Sequence, residues 1–240
     1  RVRIDGRDAD DAALVAGFAA VEAARGDTAL TYFEHGTLAA WQVFAAARPD
    51  VIILEVGLGG RLDAVNVFEP DCALVTSVAM DHMDYLGDTR EAIGFEKAGI
   101  FRAGRPAVCG DPQPPATLVE HAAAIGAQLW ISGRDFGFGG DRQQWGYWRY
   151  AQPAREGALV RRGGLAYPAL RGANQLLNAA AVITVLECLR EGGDQLQSLG
   201  AGPFTTALLM LVHARYGVLT LALTAFVYRE MDLKRLVEAL

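Results

Sequence analysis

Apolar positions recur along the first half of the chain in two alternating rhythms. Leu14, Phe18 and Val21 fall at helical spacing and predict a helix over 10–24, with Asp8 placed to cap it. A second helix is expected over 33–47, ended by the turn signal Arg48-Pro49-Asp50. A continuous apolar run, 51–54, then closes on Glu55 and predicts a strand over 51–56 that is covered on both faces. Further strand-like runs at 71–78, 106–109 and 128–131 alternate with helical stretches at 89–101 and 116–125. This order predicts an α/β fold with a mainly parallel sheet flanked by helices.

The pattern changes after residue 135. The aromatic, glycine-rich stretch within 135–167 predicts short antiparallel strands, and 174–189 returns to a helix. From Phe204 to Tyr228 only His213 and Arg215 interrupt an apolar run close to the roughly 20 residues a bilayer-spanning helix requires. A pair of core helices broken near Gly217 is the alternative. The division expected is a body over 1–198 and an apolar helical tail over 199–240.

Composition narrows the class. A net charge of −6 with scattered Lys and Arg disfavours nucleic acid as a partner and fits small-molecule chemistry. Cys72, Cys109 and Cys188 are far apart in the sequence, with neither zinc spacing nor a disulfide framework, which points to a reducing cytoplasm. The chain opens on RVRIDGRDADD without an initiator methionine, so residue 1 is expected to be a truncation point and no signal peptide is expected.

Three polar residues stand where such a fold presents chemistry. Ligands bind beyond the carboxyl ends of parallel strands, where Glu55 opens into a loop with Gly57, Gly59 and Gly60. An acid there can hold a hard cation, and glycine lets backbone approach a ligand closely. His82 follows the next strand. Lys97 lies between Ile93 and Ile100 at helical offsets, hence on an apolar face where partial burial favours a neutral, nucleophilic amine. Duller roles exist for each: a salt-bridge or cap for Glu55, a structural imidazole for His82, a snorkelling Lys97. The glycine spacing is not that of a dinucleotide site, which disfavours a nicotinamide-dependent oxidoreductase. Residue chemistry alone reaches a metal-dependent, phosphate-handling α/β enzyme.

The words LTYFE (30–34), EVGLGGRLDAVN (55–66), TSVAMDHMDYLG (76–87) and EKAGIFR (96–102) resemble, in order and spacing, the bifunctional dihydrofolate synthase/folylpolyglutamate synthases of the Mur ligase superfamily. The resemblance covers roughly 1–195 and implies an incomplete Mur-ligase-type central domain. It implies an ATP-dependent ligase that joins L-glutamate to dihydropteroate or folate through an acyl phosphate. By the same resemblance Glu55 and His82 would ligate Mg2+, and Lys97 would be a carbamylated lysine supporting a second metal. Thr31, Tyr32, Phe33 and Glu34, with Leu62, Asp63 and Ala64, would line the pterin site, and Asn178 would contact ATP. A monomer is expected.

Departures from the family pattern are equally legible. The family's phosphate-binding loop and a magnesium-binding serine would precede residue 1, Asn174 stands where a histidine is usual, and Val65 replaces a common threonine. The family's C-terminal substrate domain is also expected to be absent. The chain alone is therefore expected to bind ATP poorly and to lack turnover. The stretch from Tyr216 onward resembles part of the large membrane subunit of tripartite dicarboxylate transporters, which raises a membrane-associated fusion as an alternative. Another Mur-type amide ligase is the alternative within enzymes.

Overall fold

The computed structural model describes residues 2–80, 82–168, 174–192, 222–227 and 231–240. Strands β1 (Arg3–Ile4) and β2 (Arg7–Asp8) form a small hairpin in which Arg3 Nε donates to Asp8 Oδ1 at 2.7 Å. Asp8 therefore does not cap the first helix. That role falls to Asp10, whose Oδ1 accepts the amide of Ala13 at 2.7 Å and starts α1 (Asp11–Arg25). Val21 is the buried anchor of α1, whereas Phe18 is 38% exposed and stacks on His35.

Helix α2 (Tyr32–Ala47) begins at a capping box. Thr31 Oγ1 accepts the amide of Glu34, and Glu34 Oε2 accepts the amide of Thr31 at 2.6 Å. It crosses α1 where Gly17 lies against the carbonyl of Ala39; a Cβ at 17 would sit 2.7 Å from that oxygen.

The central sheet has the strand order β3 (Val51–Glu55), β10 (Ala222–Val227), β4 (Cys72–Val75), β5 (Pro106–Cys109), β6 (Gln128–Ile131). Strands β4, β5 and β6 are parallel neighbours. β10 runs antiparallel to both β3 and β4, so β3 and β4 themselves point the same way. Within the stretch expected to be helical, Ala222–Val227 is thus a strand. Lying between two strands satisfies its amides and carbonyls on both sides. Residues 199–221 and 228–230 of the expected tail lie outside the described residues. No described helix is long and apolar enough to cross a membrane.

Both faces of the sheet are covered, as a parallel sheet requires. Ile52, Leu54, Ala73, Val75, Ala107, Cys109, Leu129 and Ile131 join one core with side chains of α1, α2, α4 (Arg90–Ala98), α5 (Ala116–Ile125) and α7 (Leu233–Ala239). Cys72, Leu74, Val108 and Trp130 join a second core with α6 (Gln175–Gly192) and the three-stranded sheet β7 (Phe136–Gly140), β8 (Trp145–Gln152), β9 (Glu156–Leu165). Those three strands are the antiparallel excursion expected over 135–167. Tyr147 and Thr184 share a 2.9 Å hydrogen bond inside this second layer.

Candidate ligand site at the glycine loop

Glu55 is the last residue of β3 and is exposed at the carboxyl edge of the sheet. The loop after it is held by Asp63. Its Oδ2 accepts the amides of Gly57 and Leu58, and its Oδ1 accepts the amide of Val65 to start a 3-10 turn, Ala64–Val67. A carboxylate engaged by three amides of its own loop is a structural acceptor before it is anything else.

Three other segments converge on this loop. A Cβ at Gly57 would meet Phe33 Cζ at 2.7 Å, and one at Gly59, whose φ is +69°, would meet Leu86 Cδ2 at 2.9 Å. A Cβ at Gly60 would lie 2.8 Å from the carbonyl of Glu96 and 3.2 Å from Lys97 Cα. Glycine is required here for close approach, which is why the loop can nest on α4. Arg61 seals the contact through Glu96 Oε1 at 2.9 Å, and its backbone amide donates to the Glu96 carbonyl at 2.8 Å.

Asn66 and Arg102 close the far side. Asn66 Nδ2 donates to the carbonyls of Arg61 and Gly99, and Arg102 Nη2 donates to Asn66 Oδ1 at 3.0 Å. Both residues fall within the motif words, which give neither of them a role. Their signal was an amide and a guanidinium, each able to satisfy several backbone groups at once.

His82 ends the segment that leaves β4 and begins the short helix α3 (Met83–Leu86); it is exposed, with φ 49° and ψ 42°. Lys97 is 4% exposed on α4, more buried than the partial burial expected. Among the described residues, no group of three or more His, Cys, Asp and Glu side chains encloses a metal. Magnesium, however, keeps several waters and takes one or two protein groups beside phosphate oxygens. Glu55, at the end of β3, and His82, at the start of α3, are both exposed.

The residues expected to line a pterin pocket divide by exposure. Thr31 and Glu34 are engaged in the capping box, Asp63 holds the loop, and Ala64 is buried at 5% exposure. Tyr32, Phe33 and Leu62 present apolar surface, as do Met80, Met83 and Tyr85 from the His82 segment. Asn178 lies half-buried on α6, on the opposite face of the sheet from α4, and is not brought to the glycine loop.

A sheet covered on both faces, with a glycine loop at the carboxyl end of β3, defines an α/β domain of the kind that takes ligands beyond its strand ends. Residues 10–132 match the Mur ligase middle domain, and the chain belongs to that family. The dihydrofolate synthase/folylpolyglutamate synthase of Escherichia coli (strain K12) is 50% identical over 147 residues, covering 61% of this chain and 35% of that protein. A structure of E. coli FolC in complex with DHPP and ADP superposes with a TM-score of 0.71 at 38% identity, over 86% of this chain and 46% of that one. A bifunctional folylpolyglutamate synthase/dihydrofolate synthase with Mn, AMPPNP and L-glutamate bound gives 0.71 at 39% identity, over 90% and 47%. The chain thus spans less than half the length of these relatives.

Proposed function

We propose that this chain is the central part of an ATP-dependent ligase that adds L-glutamate to dihydropteroate or to folate. The observation that carries the reading is convergence: the four motif words meet at one loop, with Phe33, Leu86 and Glu96 packed on Gly57, Gly59 and Gly60. In the reaction, a substrate carboxylate attacks the γ-phosphate of ATP, giving an acyl phosphate and ADP. The glutamate amine then displaces phosphate and loses a proton as the amide forms.

Glu55 and His82 would hold Mg2+, which when bound neutralises charge on the transferring phosphoryl group. Lys97, as a neutral amine, would take up carbon dioxide, lose a proton and become a carbamate able to support a second metal. Tyr32, Phe33 and Leu62 would form the apolar wall against a pterin ring, with Thr31, Glu34, Asp63 and Ala64 fixing the backbone that carries them. Asn178 would contact ATP from α6. A monomer working in the cytoplasm completes the reading, in keeping with the acidic charge and three buried free cysteines.

Titrating the 240-residue chain with dihydropteroate and, separately, with a UDP-linked muramoyl peptide tests the substrate class. Saturable binding of dihydropteroate, weakened in Phe33→Ala and Leu62→Ala, is expected. Binding of the muramoyl peptide alone would make this a cell-wall ligase instead. Glu55→Ala and His82→Ala are each expected to weaken Mg2+ binding by calorimetry; no change in either variant removes them from the metal site.

A further inference from the structure

We propose that Arg90 and Asp111 are positioning residues for His82, closing the loop that presents its imidazole to a divalent cation. The inference rests on the reading of His82 as a metal donor. Val78, four residues before His82, has both backbone polar groups taken by this pair. Its amide donates to Asp111 Oδ2 at 3.0 Å, and its carbonyl accepts Arg90 Nε at 2.9 Å. The two side chains are themselves joined, Arg90 Nη2 to Asp111 Oδ2 at 2.9 Å. Arg90 also donates to the carbonyl of Gln113, and Asp111 Oδ1 accepts the amide of Gln113.

Residues 78 and 90 stand twelve apart in sequence and 2.9 Å apart in space. The stretch between them, carrying His82 and α3, is therefore a loop with pinned ends. Its floor is pinned as well: Gly110 packs so closely on the strand exit that a Cβ there would lie 2.5 Å from the carbonyl of Thr76. The pair gathers the exits of β4 and β5 and the start of α4 into one knot, with Val78 and Asp111 both buried. Arg90 is also seven residues before Lys97, and so lies on the same face of α4. One helix thus fixes the His82 loop at its first residue and carries the buried lysine two turns on.

An isolated surface ion pair contributes little. This one also satisfies a buried peptide, so its loss frees the loop rather than merely a charge. Partners bonded directly to a metal-binding imidazole typically change metal affinity ten- to a hundredfold; Arg90 and Asp111 act on the loop rather than on the ring, so the lower end, about tenfold, is expected here. Arg90→Lys is expected to behave like Arg90→Ala, because a single ammonium cannot reproduce the fork that reaches Val78, Asp111 and Gln113.

The test is Mn2+ binding to the full 240-residue chain, read as affinity and as the imidazole-nitrogen modulation of the bound ion's electron spin echo. Arg90→Ala and Asp111→Ala are expected to weaken affinity about tenfold and reduce the nitrogen signal. Asp111→Asn, which keeps an acceptor for the Val78 amide, supplies a milder variant should Asp111→Ala not fold. Unchanged affinity and nitrogen signal in folded Arg90 and Asp111 variants, with the signal abolished in His82→Ala, would overturn the positioning role. A nitrogen signal that survives His82→Ala would instead overturn the ligand reading beneath it.

Discussion

Asp63 Oδ2 accepts the backbone amide of Gly57 at 3.0 Å, tying the two ends of the glycine loop together. The same oxygen takes the amide of Leu58, and its partner oxygen takes that of Val65. Asparagine is nearly isosteric but presents one carbonyl and one amide donor, so one of the two sets of bonds must fail. Asp63→Asn is expected to lose about 2 kcal/mol of stability, as for hydrogen bonds to a charged acceptor. Urea denaturation measures it. A change below about 0.5 kcal/mol would mean the loop is held by its packing on α4 instead.

Two glycines should respond to alanine in opposite directions. At Gly60 a Cβ meets the backbone of α4, 2.8 Å from the Glu96 carbonyl, and no side chain can swing aside to admit it. Gly60→Ala is expected to cost about 2 kcal/mol through backbone displacement. Gly36 sits inside α2 with nothing within 4 Å of a built Cβ. Gly36→Ala is expected to stabilise by about 0.5–1 kcal/mol, because alanine loses less backbone entropy in a helix. Thermal melts of both variants beside the parent decide; destabilisation at 36 would count against the open space at α2.

The parallel half of the sheet was legible because Cys72–Val75, Pro106–Cys109 and Gln128–Ile131 are short apolar runs between strong helical patterns. The cap of α1 lies two residues beyond the expected one, and its start one residue later, because Asp8 and Asp10 are equivalent capping candidates until the Arg3–Asp8 pair removes one. Strand β10 was illegible for a different reason. Ala-Leu-Thr-Ala-Phe-Val is apolar except for Thr224, with no period to separate strand from helix, and its state is decided by the open ladder between β3 and β4. At the site, local words marked Glu55, His82 and Lys97, but the knot of Val78, Arg90 and Asp111 joins residues up to 33 positions apart and leaves no local signature.

Alkaline conditions should unfold the protein through its thiols. Burial pushes Cys109 and Cys188 each up to about 12 from an ordinary 9.0, and raises Cys72 as well. Below about pH 9 these thiols are protonated in both states and the full stability is present. Above that, the unfolded chain releases protons that the folded chain retains, so stability falls as pH rises from about 9 toward 12. Urea midpoints measured across that range are expected to decline, and less steeply in a Cys109→Ala, Cys188→Ala double variant. In the parent near neutral pH, all three thiols are expected to resist disulfide reagents until denaturant is added. Rapid labelling of the folded protein would contradict their burial.

Arg149 and Glu191 form an unequal pair, and the two sides should not tolerate removal equally. Arg149 is 2% exposed on β8, lies over the Trp130 ring at 5.2 Å, and donates from Nη2 to Glu191. Its Nε and Nη1 are buried without a hydrogen-bond partner. Glu191, by contrast, has a side chain 54% exposed and can hydrate by itself. Arg149→Met removes the unpaired donors and keeps most of the apolar stem, so stability is expected within about 1 kcal/mol of the parent. Glu191→Ala leaves a buried guanidinium without its counter-charge, and a loss of about 2 kcal/mol is expected. Chemical denaturation of the two single variants gives the comparison directly. Should Arg149→Met prove the more damaging, the guanidinium stabilises the second core by more than its bond to Glu191, with its contact on Trp130 the group to test next by Trp130→Leu.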